Sequence, residues 1–77
     1  SSLLGPRSRE ISYSDFKATL RDDLVEEVLI SDNRIEGRLR RDAIADGQSP
    51  YFHAVVVPDE QLVDDLEAHG VAFRGVA

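Results

Sequence analysis

Ile11-Ser12-Tyr13-Ser14-Asp15-Phe16 marks where the first helix begins, and the rest of the chain is read outward from it. Ser12 and Asp15 stand in the S-x-x-[DE] order of a capping box, whose hydroxyl and carboxylate satisfy backbone donors left free by the first helical turn. Ile11 and Phe16 occupy the N′ and N4 positions, the spacing of a hydrophobic staple. Tyr13, Phe16, Leu20 and Leu24 then recur at three- and four-residue steps and give one apolar stripe. Together these signals predict a helix over 13–22.

Beyond it the period drops to two. Val28 and Ile30 alternate with polar or outward positions, and Ser31-Asp32-Asn33 carries turn chemistry. Ile35, Gly37 and Leu39 point one way, and Arg34, Glu36, Arg38 and Arg40 the other. Such alternation belongs to a sheet covered on one side only, so residues 25–40 read as an antiparallel hairpin. Arg41 to Pro50, with one Asp-Gly and one Ser-Pro, reads as a loop. Tyr51 to Val57 is a third strand. Either Phe52, Ala54 and Val56 or Tyr51, Val55 and Val57 can face the core, and the first set is the expected one.

Pro58-Asp59 stops that strand, and Asp59 is placed to cap a second helix bearing Leu62, Val63 and Leu66. Glu60 near its start suits the helix dipole, and Gly70 after His69 is a C′ residue. Val71-Ala72-Phe73 reads as a short last strand. The expected class is α+β: a small antiparallel sheet, made of a three-strand meander plus short terminal strands, with two helices packed on one face. Phe16, Leu20, Val28, Ile30, Ile35, Leu39, Phe52, Leu62 and Leu66 are the expected core.

Seventy-seven residues make one small domain, which buries about 60 % of its unfolded surface. Residues 1–9 read as a flexible lead-in and 10–77 as the single domain. The chain has no cysteine, so neither a disulfide nor a thiolate metal site supports the thin core. The longest apolar run, Ala54 to Val57, is strand-sized, against the roughly 20 residues of a membrane span. Ser1 to Pro6 has neither the charged nor the long apolar region of a signal peptide, and the missing initiator Met predicts a piece of a longer chain. A net charge of -6 argues against nucleic acid, whose affinity comes largely from neutralised phosphates. Arg38, Arg40 and Arg41 form a local basic cluster, but Glu36 and Asp42 interrupt it, and it reads as a solvated strand face and turn.

No chemistry-bearing motif is complete. His53 falls in a strand, where a structural or edge role is expected. His69 follows Asp65 by four residues, and a solvated pair at the helix C-terminus is expected rather than a metal site. Asp42, Asp46 and Gly47 match three positions of an EF-hand loop, but Ile44 and His53 stand where oxygen ligands belong. The adjacent acids Asp22/Asp23, Glu26/Glu27 and Asp64/Asp65 point in different directions and do not flank a bond as glycosidase acids must. Serines 8, 12, 14, 31 and 49 lack a base and an orienting partner in sequence. Neither a G-x-x-x-x-G-K-[ST] nor an H-E-x-x-H pattern occurs. No catalytic, cofactor or metal residue is expected, and the residues alone indicate a binding or structural module.

The order I-S-Y-S-D-F from Ile11 to Phe16 resembles the opening of the extracytosolic domain of FtsH-type membrane-anchored proteases. The likeness continues through Val25, Val28 and Ile30, then Ile35, Gly37 and Leu39, resumes at Pro58, Asp59, Leu62 and Leu66, and ends on Gly70-Val71-Ala72-Phe73. Two departures stand out: Asp23 where many relatives turn on Gly, and a loop from Arg41 to Pro50 longer than the usual tight hairpin. The resemblance implies a parent that is a hexameric ATP-dependent zinc metalloendopeptidase acting in protein quality control. Its zinc and ATP would be bound outside this chain. It also implies a non-catalytic domain tethered by flanking membrane spans on the periplasmic side of the bacterial inner membrane. The partners implied are other copies in a homo-hexamer and regulators or membrane-protein substrates. An independent acidic protein-binding adaptor with the same meander is the alternative. The expected contact surface is the outer strand face with Glu36, Arg38 and Arg40, together with the loop from Arg41 to Tyr51. Each of those charges taken singly also fits a merely solvated face.

Overall fold

The structure, a computed structural model, describes residues 8–76. In chain order it contains β1 (Arg9–Glu10), α1 (Tyr13–Arg21), β2 (Val25–Ile30), β3 (Arg34–Leu39), a 3-10 turn (Arg41–Ala43), β4 (Tyr51–Val55), α2 (Leu62–Ala68) and β5 (Ala72–Gly75). The Ser12 hydroxyl accepts from the Asp15 N–H at 3.0 Å, so the predicted N-cap is formed. Ile11 is partly buried against the core to which the fully buried Phe16 belongs, consistent with the expected staple. Asp59 acts one step before the second helix: its Oδ1 accepts from the Gln61 N–H at 3.0 Å and turns the chain into α2.

The five strands lie in the order β1-β4-β3-β2-β5. The meander β2-β3-β4 is antiparallel, as expected, with Val28 opposite Gly37 and Gly37 opposite Phe52. The terminal strands depart from the antiparallel expectation, because β1 runs parallel to β4 and β5 parallel to β2. The reason is connectivity. Each terminal strand is joined to the meander through a helix, which carries the chain back before it re-enters the sheet, and such crossovers produce parallel neighbours. The sheet is therefore mixed and the class remains α+β. Of the expected lead-in, residues 1–7 lie outside the described residues, while Arg9 opens β1 and pairs with Phe52.

Phe16 and Leu20 of α1 and Leu62 and Leu66 of α2 meet Val25, Val28, Ile35, Leu39, Phe52, Ala54 and Val71 in one core. The expected inward face of β4 is the observed one, with Val55 left 61 % exposed on the other side. Ile30, at the end of β2, is only half-buried and packs at the core's margin. Val25 reaches the core face because β2 changes register between Val25 and Glu27. Leu29 departs from the wet-face expectation: it lies on the outer side, opposite Glu36 and Arg74 in register, yet is buried. Long charged neighbours cover apolar surface with their aliphatic stems, which is how a leucine is sheltered on such a face.

Gly37 fixes the packing at the centre. A Cβ there would meet Phe52 Cζ at 2.2 Å, and that ring is itself held against Phe16 at a centroid distance of 6.0 Å. Aromatic cover of a strand glycine from the neighbouring strand is a known register device.

At one end of the helices, the Lys17 ammonium binds the carboxylates of Asp59 and, at 2.8 Å, Asp65, while the Tyr13 hydroxyl donates to Asp59 at 2.7 Å. The expected Asp65–His69 pair is not formed, since Asp65 turns to Lys17. Hydrogen bonds from Lys17, Tyr13 and the Gln61 N–H hold the Asp59 carboxyl down at about 2. Burial lowers the Lys17 pKa, but the two carboxylates outweigh it and the net shift is upward. Burial and the same acids raise Tyr13.

Two outcomes follow from this packing. Gly37→Ala should lower stability by about 1–3 kcal/mol, the range for overpacking a filled core, read as a fall in the denaturant midpoint. An unchanged midpoint would mean that Phe52 is free to move. Because the Asp59 pKa is depressed from 3.8 to about 2, its stabilisation is present above pH 4 and is lost as pH falls toward 2. Melting temperatures across that window should drop less for Asp59→Asn than for the parent chain, and equal drops would contradict the assignment.

Candidate interaction surface

The outer face of the sheet is a grid of paired charges. Arg38 donates to Glu27 with 3.0 Å between Nη2 and Oε1, and Arg34 Nε lies 3.6 Å from Glu36 Oε2. His53 of β4 has Nδ1 2.6 Å from the Ser8 hydroxyl and Nε2 3.7 Å from Glu10 Oε1. This Ser8–His53–Glu10 line has no signature in residue order, because the parallel pairing of β1 with β4 creates it. It is a poor nucleophile arrangement. The Glu10 carboxylate is 71 % exposed and beyond hydrogen-bond reach of the ring it would have to orient. Among the described residues no three of His, Cys, Asp and Glu gather to hold a metal ion.

Of the five residues expected at a contact surface, Arg38, Arg41 and Tyr51 come together. With Leu39, Ile44 and Pro50 they line a shallow groove of about 230 Å³ between the outer sheet face and the loop 41–50. Arg38 and Tyr51 are register partners, and Glu36 lies two residues back on the same strand face. Ile44 and Pro50 lie within the expected loop but were not singled out in it, although a lone isoleucine in a polar loop was the available signal. The loop is held by its own bonds: Gln48 N–H to the Ala45 carbonyl at 3.0 Å, Ala45 N–H to Gln48 Oε1 at 3.0 Å, and Leu39 N–H to the Pro50 carbonyl at 2.9 Å. Gly47 turns it with a φ of 79°. On the loop's other side, Arg9, Gly47, Gln48 and Ser49 line a second concavity of about 250 Å³.

Arg40 goes elsewhere. Its Nε donates to the Asp23 carbonyl at 2.9 Å and its Nη2 to the His69 carbonyl at 3.3 Å, with Glu26 at 3.8 Å. Those two carbonyls mark the ends of α1 and α2, and both ends are Schellman motifs. Asp23 N–H reaches the Leu20 carbonyl and Leu24 N–H that of Thr19; Gly70 N–H reaches Glu67 and Val71 N–H reaches Leu66. The left-handed residue is Gly70 in one (φ 66°) and Asp23 in the other (φ 61°). Asp23 Oδ1 also lies 2.6 Å from His69 Nδ1, which is where His69 finds the carboxylate expected from Asp65. Arg40 thus clamps two helix C-termini and is a fold residue. Arg40→Ala should cost about 1–3 kcal/mol, the scale of charge-assisted hydrogen bonds. Arg38→Ala and Arg41→Ala should each stay within about 0.5 kcal/mol, as surface changes do. Chemical denaturation of the three variants distinguishes the clamp from the groove.

Comparison with known proteins covers the whole of this architecture. A family model described as FtsH Extracellular matches residues 2–77. An ATP-dependent zinc metalloprotease FtsH from Syntrophobacter fumaroxidans is 36 % identical over 69 residues, covering 90 % of this chain and 10 % of the relative. The chain therefore spans about a tenth of the length of that relative. On the whole-length match and the shared residues, the chain belongs to the FtsH extracellular family.

Proposed function

We propose that this domain is the non-catalytic extracytosolic part of a membrane-anchored, ATP-dependent zinc protease, standing between its N-terminal membrane spans on the periplasmic side of a bacterial inner membrane. There it helps assemble a homo-hexamer and contacts regulators or membrane-protein substrates in quality control. The observation that carries this reading is the family match over residues 2–77, joined to a relative of which the match covers 10 % and whose name states its chemistry. This chain's own residues do not fit zinc or a nucleotide: it has two histidines and no cysteine, and it has neither a phosphate-binding loop nor H-E-x-x-H. Zinc and ATP would belong to other parts of the parent. An independent acidic adaptor is the weaker reading, because it leaves the family match without a cause.

The domain's role in a membrane-tethered assembly is to hold weak contacts at high effective concentration, so modest surfaces suffice. A reporter enzyme active only outside the cytosol, inserted in the encoded full-length protein after Gly75, should be active. Activity confined to a cytosol-restricted reporter would overturn the placement. Replacing residues 8–76 in the full-length protein by a flexible linker should reduce the size of the detergent-solubilised particle and slow its proteolysis of membrane substrates. An unchanged particle would remove assembly from the domain's roles, and unchanged proteolysis would remove substrate contact.

A further inference from the structure

We propose that the groove beside the loop 41–50 seats an extended segment of a separate polypeptide, one that carries a carboxylate next to a bulky apolar side chain. This rests on the reading of the domain as a contact module and names the chemistry of its partner.

The first argument is charge placement. The chain carries fifteen acids against nine lysines and arginines, yet both concavities that flank this loop are lined by guanidinium groups: Arg38 and Arg41 on one side, Arg9 on the other. Arg41 makes no ion pair or side-chain hydrogen bond with any described residue, and it stands exposed in its 3-10 turn. Arg38 is tied to Glu27 through Nη2 alone, so its remaining guanidinium donors are available. Guanidinium groups bind carboxylates through charge-assisted, often paired bonds, and such contacts give orientation as well as affinity.

The second argument is the lining. Ile44 and Pro50 supply apolar surface directly beside those cations, with the buried Leu39 behind them, and Tyr51 adds a ring with a polar end. A site that is half apolar and half cationic matches two neighbouring side chains of a peptide, not a single ion.

Size decides the class of ligand. At about 230 Å³ the groove falls below the roughly 300–1,000 Å³ of pockets that enclose small molecules. It suits one or two side chains of a chain that continues past it. The loop 41–50 forms its wall through Arg41, Ile44 and Pro50. A competing occupant is present on the molecule itself: Glu60, Asp64 and Glu67 stand exposed around α2, and a second copy would present them.

The test uses the isotope-labelled 77-residue chain and a blocked hexapeptide alternating glutamate and leucine, with an alternating glutamine and leucine hexapeptide as control. Amide resonances of residues 38–51 should shift saturably with the glutamate peptide and much less with the control. Arg41→Glu should weaken the interaction at least about tenfold, as the loss of one charge-assisted bond implies. The same spectra show whether the variant is folded. Equal response to both peptides, or shifts scattered over the surface, would overturn the proposal. Shifts at the groove that appear when the protein is concentrated without peptide would also overturn it and assign the groove to a second copy. Failure of the reporter experiment would leave a peptide-binding result standing, so the two readings fail separately.

Discussion

Both helices are forced to run the same way, and much of the molecule's polar structure answers that constraint. β1, β2, β4 and β5 all point in one direction, with β3 alone reversed. α1 joins β1 to β2 and α2 joins β4 to β5, so each must carry the chain back over the same sheet face. Two helices parallel on one face bring like ends of their dipoles together, an unfavourable arrangement unless opposite charge is set at each end. At the N-terminal ends stand Asp15, Asp59, Asp64 and Asp65, with Lys17 gathering two of them. At the C-terminal ends a single guanidinium, that of Arg40, accepts the task of facing both sets of carbonyls. Asp23 supplies a carboxylate to His69 at the same place, which gives a non-glycine residue a reason to hold a positive φ.

The packing beneath the helices is set by one missing side chain. Gly37 lets the Phe52 ring lie where a Cβ would stand, and Phe16 of α1 closes over that ring. In a domain this small few aromatic groups are available, so the position of one phenylalanine settles how near the helix comes to the sheet. The outer face needs no such precision. Its charges are paired along β3 (Arg34 with Glu36) and across to β2 (Arg38 with Glu27), and part-exposed pairs of that kind contribute little to stability. That leaves the outer face free to vary for contact.

Local patterns were legible where one period ruled a segment. The helix start at Ser12, the hairpin around Ser31-Asp32-Asn33, and the inward set Phe52, Ala54 and Val56 all rest on short-range spacing, and each stands where it was expected. The parallel pairing of β1 was not legible, because two residues carry no period. Arg40 was misleading for a related reason. It continues the alternation of Glu36 and Arg38, but the strand stops at Leu39 and the long side chain turns toward carbonyls from distant segments. Leu29 obeyed burial rather than alternation. Of the proposed contact surface, the guanidinium groups were visible in the sequence, whereas the groove arises from how the loop folds back to place Ile44 and Pro50 beside them.

The order of the strands has a mechanical consequence. β1 and β5 occupy opposite edges and run in the same direction, so the chain enters at one end of one edge and leaves at the far end of the other. Tension applied between residue 8 and residue 76 along the strands loads the hydrogen bonds of each edge strand together, in shear, few at the two-residue β1 and more at β5, instead of unzipping them one by one. A segment drawn taut between two anchors would yield last in that geometry, and its edges would slip only after β1 or β5 had broken all its bonds together.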